Sequence, residues 1–323
     1  MNDMNYTAVK RDVINARNTM YELIDKPDSD KIEFLTELHN RGESPQEIAG
    51  FAMALREMSK INLKLHGLTD IVGTGGDGKN TVNVSTGASI LLASMGIKTA
   101  KHGNFGITGH HGSADFMKYM DYNFKMSENE ILENIKRKRY VYILAPEYNS
   151  SFAKFLSARK QINFRTVFNI LGPLTNPLNP DNVVLGTYSE DLANLYAQVI
   201  MEEGKKGFVV HGSDGMDEIS LSSKSILYSV DKKIEKNIVD PEKITGGIVE
   251  IERISTEDSV KSFELLLSGL SGKNSYIKKF IAINAAPAVI LNGMANSIEE
   301  AYDLSINYIE NGKAIAKLRE VCQ

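Results

Sequence analysis

Beyond residue 67, short apolar segments alternate with segments that carry the spacing of amphipathic helices. This alternation restricts the possible folds more than any other feature of the sequence. The apolar segments have the length of strands, and we predict strands at 68–72, 97–102, 140–144, 183–188 and 206–212. Strands that alternate with helices form a mostly parallel sheet with helices on its faces. The sequence therefore predicts an α/β fold class with a mostly parallel central sheet.

The first 66 residues follow a different pattern, with helical spacing and no strand signal. Ser44 and Glu47 are spaced as a capping box, in which a side chain at each position satisfies a backbone N–H at the start of a helix. The same spacing predicts helix starts at Ser127 and Ser297. We therefore predict a small all-helical N-terminal unit at residues 1–66.

The stretch LGPLTNPLNP at 171–180 contains three of the eight prolines. Proline removes a backbone donor and fixes φ, so we predict that this stretch forms no regular element. It is either a surface linker or a stiff loop that crosses between two units. Both interpretations place it near a domain boundary.

Composition and charge argue against several classes of protein. The net charge is −4, so electrostatics give no reason to expect nucleic acid as a partner. The single cysteine, Cys322, allows neither an internal disulfide nor a cysteine metal site. The N-terminus lacks the apolar core of a signal peptide, and the longest apolar run, 280–295, is too short and polar to span a bilayer. We therefore expect a cytoplasmic protein without a membrane partner.

The stretch DIVGTGGDGKNTVNVST at 70–86 places four glycines within six residues, between a predicted strand and a predicted helix. Glycine lets the backbone approach a ligand closely and adopt positive φ, and successive N–H groups at a helix N-terminus bind phosphate or diphosphate. The order matches neither a Rossmann fingerprint nor a P-loop, because Lys79 is followed by Asn80. Asp77 is suited to accept hydrogen bonds from a sugar hydroxyl. The alternative is a tight strand-to-helix connection without a ligand.

Two further polar groups follow predicted strands and are therefore expected at the same edge of the sheet. The AKHGN stretch offers a cation, an imidazole and an amide in Lys101, His102 and Asn104. The HGSDGMDEISL stretch contains the adjacent carboxylates of Asp217 and Glu218, which are ligands that Mg²⁺ binds together with phosphate. The alternatives are a half-buried histidine and a solvated acidic pair. Together with the glycine loop, these groups predict a site for magnesium, diphosphate and a sugar.

The motifs DxVGTGGD, NVST, KHGN, FRTVFNILGPLTNP and GMDEISL follow one another in this order. At these spacings they resemble the anthranilate phosphoribosyltransferase family, whose fold is shared with the pyrimidine nucleoside phosphorylases. The resemblance covers the chain from about residue 10 to its end. It implies transfer of the 5-phosphoribosyl group from 5-phosphoribosyl 1-diphosphate to the amine of anthranilate, with release of diphosphate, in tryptophan biosynthesis. It also implies a requirement for Mg²⁺ and a homodimer.

The resemblance further implies two domains. A small helical domain consists of residues 1–66 joined by the segment around 163–180, and a larger α/β domain consists of residues 67–162 and 181–323. The active site is then expected in the cleft between the two domains.

Matching motifs assign residues to three sets, and none is assigned as a general acid or base. The set for 5-phosphoribosyl 1-diphosphate is Gly73, Gly76, Asp77, Thr81, Asn83, Val84, Ser85, Thr86, Lys101 and Ser113. The set for anthranilate is Gly73, His102, Asn104, Arg159, Gly172 and Pro173. The set for the metal is Ser85, Asp217 and Glu218.

The sequence departs from the family pattern near the predicted site. Phe105 stands where arginine is common, and His110 and His111 replace a pair that resembles Lys–Ser, so one cation near the diphosphate is missing. We expect Phe105→Arg to tighten binding of the phosphoribosyl donor. Asn149 stands where the family has a histidine associated with the acceptor. Because an asparagine can still donate a hydrogen bond, anthranilate is the preferred acceptor.

Other functions stay open at this point. The chain is alternatively a phosphoribosyltransferase for another aromatic amine. It is less readily a pyrimidine nucleoside phosphorylase, since the KHSTGG motif expected there is absent. A non-catalytic binding homologue is a third alternative, against which the intact GTGGD and NVST motifs and the Asp217–Glu218 pair argue.

Overall fold

The computed structural model describes residues 3–106 and 112–323 and begins with three helices. They are α1 (Asp3–Leu23), α2 (Asp28–Arg41) and α3 (Pro45–Glu57). The predicted capping box begins α3, because the Ser44 hydroxyl accepts from the N–H of Glu47 and the Glu47 carboxylate accepts from the N–H of Ser44. Helices α1 and α3 pack closely at Gly50, where an added Cβ would lie 2.6 Å from a side-chain atom of α1. The predicted helical character of the N-terminal region is confirmed.

Seven strands form one sheet. They are β1 (Thr69–Gly73), β2 (Thr99–Gly103), β3 (Tyr140–Leu144), β4 (Asn182–Gly186), β5 (Lys206–Gly212), β6 (Ser225–Val230) and β7 (Ile234–Val239). Their order across the sheet is β3-β2-β1-β4-β5-β6-β7, with β1 to β5 parallel to one another and β6 and β7 antiparallel. The five predicted strands correspond to β1 to β5, and the mostly parallel central sheet is confirmed.

The hairpin of β6 and β7 was not predicted from the sequence. Strand β7 lies at the edge of the sheet, four of its six residues are exposed and three are polar, so it lacks the apolar pattern that predicts a strand. Its position is set by pairing with β6, which in turn pairs with β5.

Helices cover both faces of the sheet, and neighbouring residues of a strand therefore enter different cores. Ile71 packs in the core that contains the C-terminal helices, whereas Val72 packs in the core that contains α1 and α3. The helices between strands are α4 (Val84–Ser94), α5 (Ser113–Tyr119), α6 (Glu128–Arg137), α7 (Ala145–Tyr148), α8 (Leu156–Lys160), α9 (Phe168–Leu171) and α10 (Glu190–Glu202), and the short α11 (Pro241–Thr245) follows β7. The chain ends in α12 (Ser259–Leu270), α13 (Ser275–Leu291), α14 (Ile298–Glu310) and α15 (Lys313–Cys322).

The other two predicted helix starts differ in detail. Ser127 begins α6 with a complete capping box, as predicted. Ser297 caps α14 and accepts from the N–H of Glu300, but the Glu300 carboxylate accepts from the N–H of Asn296 instead of that of Ser297. The predicted reciprocal bond at Ser297 is therefore wrong, because the preceding residue presents its N–H to the carboxylate.

The proline-rich stretch is mostly buried, so its interpretation as a surface linker is wrong. It contains one short 3₁₀ turn at Gly172–Leu174 and otherwise no regular element. Arg56 of α3 donates to the backbone oxygen of Leu174 at 2.6 Å and forms an ion pair with Glu203 at 2.7 Å. The stretch is thereby fixed between the N-terminal helices and the sheet.

The division into a helical and an α/β domain stays a prediction. The N-terminal helices share a core with α10 and with alternate residues of β4 and β5. No helix in the described ranges is both long and apolar enough to cross a membrane.

Candidate active site

The strand order identifies one edge of the sheet as the place for a ligand. Strand β1 lies between β2 and β4, where the order of the strands reverses. Open α/β sheets bind ligands outside the carboxyl ends of their strands at such a point. A small cavity lies at this place, and its lining includes Gly73, Ser85, Gly186, Asp217 and Glu218.

Two glycines at strand ends make room for the loop that carries the predicted metal carboxylates. A Cβ at Gly186 would lie 1.6 Å from the backbone oxygen of Asp217, and a Cβ at Gly73 would lie 2.5 Å from its carboxylate oxygen. Any larger residue at Gly186 would therefore displace the backbone of the Asp217 loop, and one at Gly73 would displace the Asp217 carboxylate. In the glycine loop, Gly75 and Gly76 have φ of 66° and 77°, and the N–H of Gly75 donates to the Asp217 carboxylate at 2.6 Å.

The carboxylates of Asp217 and Glu218 line this cavity, and the carboxylate of Asp77 is close enough to act on both of them electrostatically. Burial raises the pKa of Asp217 to about 7, and the charge of Asp77 raises it too. Burial also raises the pKa of Glu218, and the two aspartates add to this effect. The hydroxyl of Thr81 donates to the Glu218 carboxylate at 3.1 Å. Concentrated negative charge of this kind favours a bound cation.

A cation at this place would need ligands from the substrate as well. In the part of the chain that the structure describes, no group of three or more His, Cys, Asp or Glu side chains forms a complete metal site. Mg²⁺ commonly takes only one or two carboxylates and completes its shell with water and phosphate oxygens. The Asp217–Glu218 pair fits that pattern.

Several buried polar atoms around the glycine loop have no hydrogen-bond partner. They are Thr74 Oγ1, Asp77 Oδ2, Asn83 Nδ2 and Thr86 Oγ1, four of the seven such side-chain atoms in the described ranges. Buried polar groups in folded proteins are almost always satisfied, so each exception needs an explanation. Because these four atoms cluster beside one loop, we infer that a polar ligand forms hydrogen bonds with them.

The N-terminus of α4 points to the same kind of ligand. The helix begins at Val84, and Asn83 at its N-cap position makes no side-chain cap hydrogen bond. Helix N-termini carry unpaired N–H groups and a partial positive charge, which together bind anions. Ser85 lies in the first turn and also lines the cavity. The N–H groups of Val84 and Thr86 already donate to the backbone oxygens of Val82 and Asn83. The first turn of α4 therefore offers the hydroxyl of Ser85 and the partial positive charge of the helix.

Lys101 is a buried cation at the end of β2. Its ammonium donates to the backbone oxygen of His102 at 3.1 Å. Burial lowers the pKa of Lys101, while the charges of Asp70, Glu218 and Asp217 raise it. The ammonium thus lies within the electrostatic reach of the carboxylates of Asp217 and Glu218.

Asp70 and Asn176 form a buried pair that the sequence did not assign to the site. The Asp70 carboxylate accepts from the N–H of His102 at 3.1 Å and from the Asn176 amide at 2.9 Å. The same amide donates to the backbone oxygen of Ala100 at 2.7 Å. The pair therefore ties the KHGN loop to the proline-rich stretch. A charged residue inside a predicted strand was the only sequence signal for this role.

His102 is buried and lies against the turn that begins at Gly172. A hydrogen bond joins the imidazole to the backbone of Gly172, and Pro173 follows in the same buried turn. Burial, followed by the charge of Lys101, lowers the pKa of His102 to about 3. The imidazole is therefore neutral at pH 7. The structure brings together three residues of the set predicted for anthranilate.

Arg159 also contacts the segment that leads to this turn. Its guanidinium lies 5.6 Å from the ring centroid of Phe168 and donates to the Asn169 amide oxygen at 3.4 Å. The side chain is half-buried, and burial alone lowers its pKa, so no carboxylate of the described residues neutralises it. A half-buried guanidinium without an acidic partner is suited to bind a ligand carboxylate.

The loop after β2 carries the remaining predicted residues. Asn104 is exposed, and its side chain accepts from the N–H of Phe105 at 2.8 Å. The Ser113 hydroxyl lies 2.6 Å from the hydroxyl of Tyr142. The Asp115 carboxylate accepts from the N–H groups of Gly106 and Gly112, each at 2.8 Å. The predicted departure at His110 and His111 lies outside the described residues.

Asn149 is placed differently from the expectation. It is only 6% exposed, and its amide donates to the backbone oxygen of Leu55 at 2.6 Å and accepts from the N–H of Ser151 at 2.9 Å. One of the two amide hydrogens therefore binds the backbone of α3, and donation of the other to an acceptor substrate stays a prediction. Asn149 links the segment after β3 to the N-terminal helices.

Comparison with known proteins is consistent with this site. Residues 65–315 match the glycosyl transferase family, a/b domain. The chain is 53% identical to the anthranilate phosphoribosyltransferase of Picrophilus torridus over 302 residues, which cover 94% of this chain and 92% of that protein. It is 38% identical to the anthranilate phosphoribosyltransferase of Thermoplasma acidophilum over 285 residues, 88% of this chain and 87% of that protein.

Solved structures of the same kind share the whole fold. The anthranilate phosphoribosyltransferase of Thermus thermophilus superposes with a TM-score of 0.88 and 29% identity, covering 98% of each chain. The enzyme of Saccharomyces cerevisiae in complex with PRPP and Mg superposes with a TM-score of 0.81 and 27% identity, covering 96% of this chain and 90% of that one.

Proposed function

This chain belongs to the anthranilate phosphoribosyltransferase family, and on that premise we propose which of its residues hold the two substrates and the metal. Its reaction transfers the 5-phosphoribosyl group from 5-phosphoribosyl 1-diphosphate to the amine of anthranilate and releases diphosphate, a step of tryptophan biosynthesis. The observation that supports the proposal most directly is the cluster of unsatisfied polar atoms around the glycine loop.

The donor, 5-phosphoribosyl 1-diphosphate, is held by the glycine loop and the start of α4. Backbone N–H groups from Gly73 and Gly76 bind phosphate oxygens, and the partial positive charge at the start of α4, where Val84 begins the helix, adds to this attraction. The unsatisfied oxygen of Asp77 accepts from a ribose hydroxyl, and the unsatisfied amide of Asn83 donates to a phosphate. The hydroxyls of Thr86 and Ser113 add further donors to the same ligand.

Asp217 and Glu218 would hold Mg²⁺, and Ser85, which lines the same cavity, would join them. When bound there, the ion neutralises charge on the diphosphate. Thr81 fixes the direction of the Glu218 carboxylate through its hydrogen bond. The glycines at the ends of β1 and β4 let the Asp217 loop come close enough to share the ligand.

Anthranilate is held between the KHGN loop and the proline-rich stretch. Arg159 binds the carboxylate of anthranilate, because its guanidinium is half-buried without an acidic partner. The neutral imidazole of His102 and the turn at Gly172–Pro173 line the ring, and the exposed Asn104 lies at the opening. Asn149 contributes to this part of the site indirectly, because its amide links the segment after β3 to the backbone of α3.

The chemistry requires positioning and charge stabilisation. The bond between ribose C1 and a diphosphate oxygen breaks, and a bond between C1 and the anthranilate nitrogen forms. Positive charge develops on the ribose and negative charge on the diphosphate, as in glycoside cleavage. Lys101 and the loop N–H groups stabilise the leaving diphosphate. The amine is neutral at pH 7, so alignment with C1 is its main requirement, and its proton passes to solvent or to the diphosphate without an assigned base.

The proposal extends to assembly and domain arrangement. We infer a homodimer and a cleft between the N-terminal helices and the α/β part, as the family resemblance implies. The exposed side chains of Ile14 and Tyr21 on α1 are consistent with a contact surface there. Light scattering of the purified protein measures the assembly directly.

The experiment that tests the proposal mixes purified protein with the donor, Mg²⁺ and anthranilate and follows the loss of anthranilate fluorescence. We expect a loss that depends on Mg²⁺ and that Asp217→Asn abolishes. Asp231→Asn is the matched control, because Asp231 is an exposed carboxylate that pairs with Lys206 on the surface.

The alternative acceptors are tested in the same assay. Release of diphosphate with another aminobenzoate, but not with anthranilate, would show that the departures at Phe105 and Asn149 mark a different aromatic amine. Phosphate-dependent cleavage of a pyrimidine nucleoside would favour the phosphorylase alternative. No reaction with any of these compounds would favour a binding protein.

A further inference from the structure

Helix α13 places one polar side chain, Asn284, behind the metal site. Asn284 lies in an apolar part of this helix and is only 6% exposed. It lines the same small cavity as Ser85, Asp217 and Glu218. An amide in such surroundings is costly unless its hydrogen bonds are satisfied, so its partners indicate its purpose.

The partners of Asn284 belong to the metal loop. Its amide oxygen accepts from the N–H of Ile219 at 2.7 Å, and its amide nitrogen donates to the backbone oxygen of Ile219 at 3.0 Å. The same nitrogen donates to the backbone oxygen of Phe280, one turn earlier, at 3.0 Å. The side chain thus pairs with both backbone groups of one residue, as a neighbouring strand would, and the bond within the helix fixes its direction.

Ile219 follows Asp217 and Glu218 directly, so this pairing acts on the two carboxylates. From the side of the strands, the same loop is held by the close contacts at Gly73 and Gly186. From the side of α13, Asn284 holds it through two hydrogen bonds. The direction of the carboxylates therefore depends on a side chain that is distant from them in sequence.

We propose that Asn284 is a positioning residue that orients the Asp217 and Glu218 carboxylates for Mg²⁺ by pairing with the backbone of Ile219. This inference rests on the proposed role of those carboxylates as metal ligands. Side chains that orient the ligands of a metal typically change metal affinity by about 10–100-fold when they are removed. Asn284 acts on the metal through the loop backbone.

The test measures binding of 5-phosphoribosyl 1-diphosphate by calorimetry at a series of Mg²⁺ concentrations, without anthranilate. In Asn284→Leu, which keeps the approximate size and removes the pairing, we expect the Mg²⁺ concentration for half-maximal binding to rise about tenfold or more. At saturating Mg²⁺ and without Mg²⁺, the donor affinity should equal that of the wild type. General damage to the fold would instead weaken donor binding at every Mg²⁺ concentration.

Helix α13 offers a matched control in Asn292. This side chain also donates to the backbone oxygen four residues earlier, at 2.8 Å, and also reaches another element, the Thr69 hydroxyl at the start of β1, at 2.9 Å. It lies at the opposite end of that strand from the site. Asn292→Leu should lower the melting temperature and leave the Mg²⁺ dependence unchanged.

The outcomes separate the inference from the function that it rests on. Equal Mg²⁺ dependence in wild type and Asn284→Leu would overturn the role of Asn284 and leave the metal site in place. If the wild type binds the donor equally well with and without Mg²⁺, both the role of Asn284 and the proposed metal site would be overturned. If Asn284→Leu does not fold, Asn284→Gln keeps the neutral amide but moves it by one methylene away from Ile219, and we expect its Mg²⁺ requirement to rise as well.

Discussion

The proposed donor side of the site, around the glycine loop and α4, and the proposed acceptor side, around His102 and the proline-rich stretch, are built differently. On the donor side, polar atoms of the glycine loop and α4 are buried without partners, and the loop of Asp217 packs against backbone at Gly186. On the acceptor side, Asn149 and Asn176 are bonded to backbone groups and to Asp70. On the donor side, several buried polar atoms thus make no hydrogen bond within the protein, whereas the amides of the acceptor side bond to other segments of the chain.

This difference teaches where substitutions should act. A substitution on the donor side cannot be accommodated by small shifts, because the close contact between Gly186 and the backbone of Asp217 fixes both segments. A change on the acceptor side alters either one contact with the ligand, as at Arg159, or the attachment of a segment, as at Asn176. We therefore expect larger and less selective losses on the donor side than on the acceptor side.

The largest effect is expected for Gly186→Ala. The added Cβ would lie 1.6 Å from the backbone oxygen of Asp217, so the metal loop must move. Overpacking of this kind costs about 1–3 kcal/mol or more in stability. We expect the variant to lose Mg²⁺-dependent donor binding in calorimetry and nearly all activity in the fluorescence assay.

Gly172→Ala on the acceptor side is the matched comparison. No atom lies within 4 Å of an added Cβ at Gly172, and the residue has an ordinary φ of −48°. We expect normal folding and donor affinity, with any change confined to the KM for anthranilate. A loss of donor binding in Gly172→Ala as large as in Gly186→Ala would contradict the distinction between the two sides.

A selective effect is expected for Arg159→Leu. Hydrogen bonds to charged groups contribute about 1.5–3 kcal/mol, which corresponds to a factor of about 10–100 in binding. We therefore expect the KM for anthranilate to rise by that factor in steady-state kinetics, with unchanged donor affinity. Lys160→Leu, at the exposed neighbouring position, serves as the control and should behave as the wild type.

The two sides also differ in how far the sequence predicts them. The glycine loop, Lys101 and the Asp217–Glu218 pair could be predicted, because backbone conformation and adjacent carboxylates leave a local signal at strand ends. The same holds for the five parallel strands. The roles of Asp70 and Asn149 could not, because each depends on a contact with a distant segment. The edge strand β7 was missed for a related reason, since its pairing and not its composition makes it a strand.

A moderate effect of pH is expected from His102. Its pKa is lowered to about 3 in the folded protein, below the ordinary value of about 6.5, so the unfolded chain binds more protons between these values. Stability from this group is therefore present above pH 6.5 and is lost as the pH falls. At pH 5 the loss is about 2 kcal/mol, from about 1.4 kcal/mol per pH unit.

The contribution of His102 is measured as a difference, because the raised pKa of Asp217 has the opposite sign. Urea unfolding of wild type and His102→Gln at pH 7 and pH 5, without Mg²⁺, gives the free energies of unfolding. We expect the wild type to lose about 2 kcal/mol more than the variant between the two pH values. Parallel pH dependence of the two proteins would mean that folding does not shift the pKa of His102.

The smallest effect is expected for Phe105→Arg, which places a cation on the donor side. The ring of Phe105 packs edge-on to Phe124 with centroids 5.9 Å apart, and the Lys118 ammonium lies 5.9 Å from the ring. An arginine loses this packing and brings a second positive charge beside Lys118, at a cost of about 1 kcal/mol in stability. The arginine also attracts the diphosphate, so we expect the donor affinity measured by calorimetry to improve about threefold to tenfold.

Phe105→Leu removes the ring without adding charge and should not tighten donor binding. Unchanged or weaker affinity in Phe105→Arg would mean that no cation is missing at this position and that the existing cations already match the charge of the donor.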